Sequence, residues 1–185
     1  MGAERLQRSW RHSLLILLGC FLAGNGYAEA LSAQLSALRI TPPKQRKIAP
    51  EFKLQDLQGK TLRLSDFRGR PVLINFWATF CAPCREEMPA LESLWQEFKN
   101  DGLVILAIAA DRSGKKAVLP FIQEGAYRFP ILLDAEGTVR NRYEVIALPT
   151  TYLIGRDGKF IGRAIGSRQW YSPASRELIQ SLLHQ

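Results

Sequence analysis

The seven residues Val72-Leu73-Ile74-Asn75-Phe76-Trp77-Ala78 form a run interrupted by a single polar side chain. A stretch this short cannot cross a bilayer, and its apolar residues do not alternate with polar ones. It suits a strand buried on both faces, the condition of a central strand in a parallel sheet. Residues 82–99 follow with helical spacing: Met88, Leu91, Leu94, Trp95 and Phe98 share one stripe, and Asn100-Asp101-Gly102 closes it. Leu103 to Ala110 is a second buried strand, and Lys115 to Glu124 a second helix despite Pro120. Strand, helix, strand, helix in this order predicts an α/β domain whose parallel strands are joined by helices.

The flanks complete the domain. Glu51 to Leu64 has the alternation and the Gln58-Gly59-Lys60 turn of a small N-terminal β-hairpin. Phe129 to Asp134 is an extended segment and Thr138 to Tyr143 a short helix. Thr151 to Ile154 is a strand, and the Asp157-Gly158 turn leads it into a partner at Phe160 to Ile165. Pro173 to Leu183 is a terminal helix with Leu178, Ile179, Leu182 and Leu183 facing inward. The domain is expected to span residues 49–185. Ahead of it, residues 29–48 form a linker. Leu31, Leu35 and Leu38 give a brief amphipathic helix there, expected to pack on the domain edge, with a membrane or partner surface as the alternative, and Thr41-Pro42-Pro43 through Lys47 is a solvated tether.

Residues 1–28 have the layout of a secretory signal peptide: Arg5, Arg8 and Arg11, then the apolar run Leu14 to Ala23, then small residues at Ala28. Two alternatives stand beside it. Leu17-Leu18-Gly19-Cys20 resembles a lipobox, in which Cys20 would be acylated, and the apolar run could remain uncleaved as an anchor. The expected location is therefore periplasmic or otherwise extracytoplasmic, with a membrane tether as an option. Removal of this leader takes out three arginines and one glutamate and lowers the net charge from +8 to +6. No cluster of basic residues interleaved with aromatics accompanies that charge, so nucleic acid is not an expected partner.

Of the three cysteines, Cys81 and Cys84 are two residues apart in Phe80-Cys81-Ala82-Pro83-Cys84. Three chemistries suit such a pair. Zinc would need four ligands, and the only histidines are His12 and His184; no metal or other cofactor is expected. A structural bridge across so short a loop has little energetic motive. A redox pair gains from its position. Cys81 falls where the buried strand ends and the helix begins, and the free N–H groups and macrodipole of a helix start stabilise a sulfur anion. Pro83 falls in the first helical turn, where its missing donor costs nothing. Cys84 lies one turn on.

The segment from Phe76 to Pro89, with Leu148-Pro149-Thr150 before a strand and Arg156-Asp157-Gly158-Lys159 beyond it, resembles the TlpA/ResA-like thiol–disulfide oxidoreductases of the thioredoxin fold. The resemblance runs from about Ala49 to near the C-terminus. It implies a central mixed sheet flanked by helices. It also implies that Cys81 attacks a partner's disulfide and that Cys84 resolves the mixed disulfide. Pro149 would be cis and would face the cysteines, so that backbone beside it, including Leu148, could pair with an extended substrate. Phe80, which stands where many relatives have Trp, would be an apolar lip, with Pro83 and Trp77 completing the docking surface. Trp77 also has a plainer reading as a core aromatic. Thioredoxins carry a buried Asp where this chain has Asn75, so that base is missing. Glu87 matches a carboxylate near the site in the ResA-like subgroup and would take the proton of Cys84. The alternative is a helix-surface glutamate like Glu86 beside it.

The expected function is an exported, monomeric disulfide reductase. It would draw electrons from a membrane thiol donor and act on disulfide-bearing exported proteins, with apocytochrome c among the clients. A thiol peroxidase and a non-catalytic binding module of the same fold are the alternatives. The peroxidase pattern Thr-x-x-Cys is not met, because Thr79 lies two residues before Cys81.

Overall fold

The computed structural model describes Gly26 and residues 28–184. The leader features at Arg5 to Ala23, the lipobox at Cys20 included, lie outside the described residues. Seven strands form one mixed sheet in the order β2-β1-β5-β4-β3-β6-β7. The strands are β1 (Lys53–Asp56), β2 (Thr61–Arg63), β3 (Val72–Trp77), β4 (Val104–Ala109), β5 (Ile131–Leu133), β6 (Thr150–Ile154) and β7 (Phe160–Ile165). The helices are α1 (residues 28–37), α2 (Ala82–Phe98), α3 (Lys115–Glu124), α4 (Thr138–Arg142) and α5 (Pro173–Leu183).

β3 and β4 pair in parallel at the centre, and every residue of both is buried. That double burial is why their sequences show no alternation. The apolar cores on the two sheet faces are separate. One gathers Trp77, Met88, Leu91, Leu94, Trp170 and Leu178. The other gathers Phe76, Tyr143, Tyr152 and Ile154. β6 runs antiparallel to β3 and places Thr151 opposite Asn75. The β1–β2 hairpin joins the other side through an antiparallel pairing of β1 with β5. Asp56 caps its turn by accepting hydrogen bonds from the Gln58 and Lys60 amides at 2.9 and 2.8 Å.

The structure packs the helix of the linker on the domain edge and corrects the solvated tether that follows it. Residues 29–48 dock on the domain. Leu35, Leu38 and Ile40 are buried in the core that holds Trp77. Gln34 donates to Ser181 of α5 at 3.0 Å. Thr41 exchanges backbone hydrogen bonds with Arg163, and Phe160 N–H donates to the Lys47 carbonyl, all at 2.9–3.0 Å. This segment thereby covers the outer edge of β7, which would otherwise present unpaired backbone groups. Gly162 permits the approach: a Cβ there would lie 2.5 Å from Ile40 Cγ2. Leu35→Ala should therefore cost about 2 kcal/mol in chemical denaturation, as buried leucines do. A freely solvated tether would give no change.

Candidate active site

Cys81 is the N-cap of α2, with extended backbone angles, and Pro83 occupies the first turn. The Cys81 carbonyl accepts from Arg85 N–H at 3.1 Å, and Cys81 N–H donates to the Ala78 carbonyl at 3.2 Å. The strand end thus fixes where the sulfur sits, and the helix start supplies the positive end of its dipole. Cys81 and Cys84 are joined by a disulfide, with their Cα atoms 5.3 Å apart. The two are unequal: Cys81 is half-buried, whereas Cys84 is 0% exposed. Only Cys81 is open to a partner.

Thr79, just ahead of the pair, is fastened to Asp111 at the end of the neighbouring strand. Its amide donates to Asp111 Oδ2 at 3.1 Å, and its hydroxyl makes a short hydrogen bond to Oδ1. Asp111 is 4% exposed. That anchor holds the loop from which Phe80 projects.

Beside Cys81 lies a groove of about 550 Å³, lined by Phe80, Pro83, Arg140, Ile146 and Leu148 among others. Phe80 and Ile146 are 74% and 85% exposed, unusual for large apolar side chains. Phe80, Pro83 and Leu148 therefore stand where a substrate can reach them. Pro149 follows a cis Leu148–Pro149 bond and is itself buried, so Leu148 lines the groove in its place. Trp77 is corrected. It is 0% exposed and packs on Phe121 with ring centroids 5.4 Å apart, because β3 turns it into the core. It offers no surface to a substrate.

Glu87 lies three residues after Cys84 on the same buried face of α2 and is 3% exposed. Its carboxylate is held from both sides of the site. Asn75 Nδ2 donates to Oε1 at 2.8 Å and to Thr151 Oγ1 at 2.9 Å. Arg168 N–H and Trp170 Nε1–H both donate to Oε2 at 3.0 Å. Burial pushes its pKa up from 4.5 to about 7, against the opposing pull of the Arg168 amide, Asn75, Trp170 and the Arg168 charge. The helix-surface alternative is thus set aside for Glu87, while Glu86 is exposed. The helical phase carried that signal: Glu87 falls within the stripe of Cys84, Met88 and Leu91, and Glu86 outside it. Trp170 and Arg168 were missed as neighbours of this carboxylate. They approach from a loop more than 80 residues away in the chain.

Residues 46–161 match the model of the AhpC/TSA family. A thiol-disulfide oxidoreductase ResA from Bacillus thuringiensis subsp. konkukian is 41% identical over 122 residues, 66% of this chain and 70% of the relative. ResA from Bacillus subtilis is 34% identical over 157 residues, 85% of this chain and 84% of the relative. Among solved structures, a thiol:disulfide interchange protein from Bacteroides sp. aligns with a TM-score of 0.65 and 25% identity, covering 76% of this chain and 91% of that one. A strand-ending, helix-starting cysteine pair, a thioredoxin-like mixed sheet and this extent of identity converge on one assignment. The chain belongs to the AhpC/TSA family, as a thioredoxin-fold thiol–disulfide oxidoreductase of the ResA type.

Proposed function

We propose that the protein is an exported disulfide reductase whose working groups are Cys81, Cys84 and Glu87. The observation that carries this reading is the asymmetry of the pair: Cys81 is half-buried at a helix start, and Cys84 is wholly buried one turn on, on the same helix face as the buried carboxyl group of Glu87, whose pKa burial pushes up to about 7. In the reduced protein the Cys81 thiolate attacks one sulfur of a client disulfide. The client's S–S bond breaks, and its other sulfur leaves as a thiolate. Cys84 then gives its proton to Glu87, and its sulfur displaces the client from Cys81. A Cys81–Cys84 disulfide remains, and the client leaves two electrons richer as two thiolates, which take back one proton from Glu87 and one from solvent. Glu87 suits the proton step because a base is most effective when its pKa lies near the working pH.

The apolar groove beside Cys81 supports docking of an extended client segment, with Phe80, Ile146 and Leu148 as its apolar contacts. The leader at residues 1–28 supports export to the periplasm or an equivalent space, with a membrane tether as the finer alternative. A membrane thiol donor would then return the pair to its dithiol form. Exported proteins, apocytochrome c among them, would be the clients of a monomer. Among the described residues no helix is long and apolar enough to cross a membrane.

Direction follows from the reduction potential, and titration of the pair against glutathione measures it. A reductant is expected at about −230 mV or below, on the thioredoxin side of the scale. A value near −120 mV, that of a strong dithiol oxidant, would reverse the proposed direction.

A further inference from the structure

The two oxygens of Glu87 are served by different parts of the chain. Oε1 is held by Asn75, inside the stretch that the family model matches. Oε2 is held by Arg168 and Trp170, beyond residue 161, where that stretch ends. The Arg168 side chain turns away from Glu87's carboxylate to a different task. Its guanidinium donates to five backbone carbonyls: Leu38 at 2.7 Å, Arg39 at 2.9 Å, Ser167 at 2.8 Å, Gly166 at 3.1 Å and Ile165 at 3.2 Å. The first two lie just past the end of α1. The other three run from the last residue of β7 into the Arg168–Trp170 loop. Arg39 takes a left-handed backbone angle, φ 51°, at this junction. A planar fork of donors can bridge two chain segments in this way, which a point charge on a flexible stem cannot.

We propose that Arg168 is a positioning residue: its guanidinium clamps Leu38 and Arg39, just past α1, onto residues 165–167, and the clamp aims the Arg168 amide and the Trp170 indole at Glu87. The inference rests on Glu87 being the site's carboxylate, but it concerns only what surrounds that group. It makes the docked N-terminal segment part of the active site's support, acting through the clamp rather than through contact with the cysteines. It also links the end of the chain that leads toward the leader to the group that handles the proton.

The groups that face Glu87 come from several elements. Asn75 comes from β3 with Thr151 of β6 behind it, and Trp170 comes from the loop before α5. Arg168 is the one charged residue that acts on it among the described residues. Cys84 is the titratable neighbour on α2 itself, and it is silent in the disulfide form. The Arg168 and Trp170 contacts favour the ionised carboxylate, while burial on α2 opposes it. Release of the clamp removes the Arg168 and Trp170 share and leaves the burial opposed by Asn75 alone.

The test is a carboxyl ¹³C NMR titration of the oxidised full chain, with Glu87→Gln used to identify the resonance. In Arg168→Ala the Glu87 midpoint should rise by about one pH unit. Arg168→Lys keeps the charge without the fork and should remain shifted. Gly162→Val leaves Arg168 in place but puts a Cβ 2.5 Å from Ile40 Cγ2; the expected displacement of the adjoining Leu38 and Arg39 carbonyls should shift the midpoint in the same direction. The combined Arg168→Ala and Gly162→Val protein should add little to either alone, the mark of one shared element. An unchanged midpoint in an Arg168→Ala protein with a cooperative melt overturns the inference. So does full restoration in Arg168→Lys. Ordinary turnover in Glu87→Gln would instead remove Glu87 from the reaction and leave the NMR outcome standing.

Discussion

With Cys81 replaced by serine, reduction of insulin disulfides is expected to fall to the uncatalysed rate, while Cys84→Ser stops after one step and accumulates a covalent mixed disulfide with its client. The two outcomes differ because the two sulfurs do different things. A serine hydroxyl at position 81 supplies no thiolate, so the first bond never forms. A serine at position 84 leaves the attacking sulfur in place but removes the one that resolves the adduct. The structure supplies the asymmetry on which this depends: Cys81 is half-buried at the N-cap of α2, and Cys84 is wholly buried one turn on. The check is non-reducing electrophoresis of each variant after incubation with a disulfide-bearing client, beside turnover measured by insulin precipitation. Equal turnover in the wild type and both variants would reject the cysteine pair as the catalytic machinery. A stable adduct in Cys81→Ser, formed on Cys84, would reverse the assigned roles.

The parts of this fold that were legible in the sequence are those in which burial writes itself into local pattern. β3 and β4 are buried on both faces, and a short strand with no solvent face has no reason to alternate apolar and polar residues. α2 and α5 each bury one stripe, and the Asp157-Gly158 turn places the β6–β7 hairpin, with Gly158 at φ 75°. The packing of the leucines of α1 on the domain edge was legible in their helical spacing, whereas the docking of residues 41–48 was not. Pro42-Pro43 and the charges after them carry the composition of a solvated tether, and the contacts of Thr41 and Lys47 with β7 are backbone hydrogen bonds that any sequence can make. Trp77 was ambiguous for another reason: alternation tells which residues share a face of β3 but not which face meets the groove. The surroundings of Glu87 were half legible. Helical phase separates it from Glu86, whereas Arg168 and Trp170 reach it across more than 80 residues through a loop with no periodicity to read.

Glu87→Gln is expected to yield a protein that is more stable than the wild type above pH 7 and slower in turnover by about 10²-fold, the usual scale of a lost acid–base group. The stability sign follows from the pKa of about 7 in the fold against 4.5 in the unfolded chain. Below pH 4.5 both states hold the proton, and the wild type bears no penalty. As pH rises from 4.5 to 7, the unfolded chain releases the proton and the folded one retains it, so stability is lost across that window. Above 7 the loss is constant at about 3 kcal/mol for a shift of this size. Glutamine is neutral throughout and nearly the same shape. Its carbonyl can accept from Arg168 N–H and Trp170 Nε1–H where Oε2 now does, and its amide can face Asn75 Oδ1, which has no hydrogen-bond partner. Denaturant unfolding of both proteins from pH 4.5 to 8 should therefore show a gap that opens in favour of glutamine. Parallel curves would mean that Glu87 titrates as an ordinary surface carboxylate. The pH–rate profile should at the same time lose its inflection near 7, because the group that receives the Cys84 proton is gone. A variant that gains stability and loses rate at one buried position would place the energetic cost of this fold at its working carboxylate, as expected of a site kept for chemistry rather than for packing.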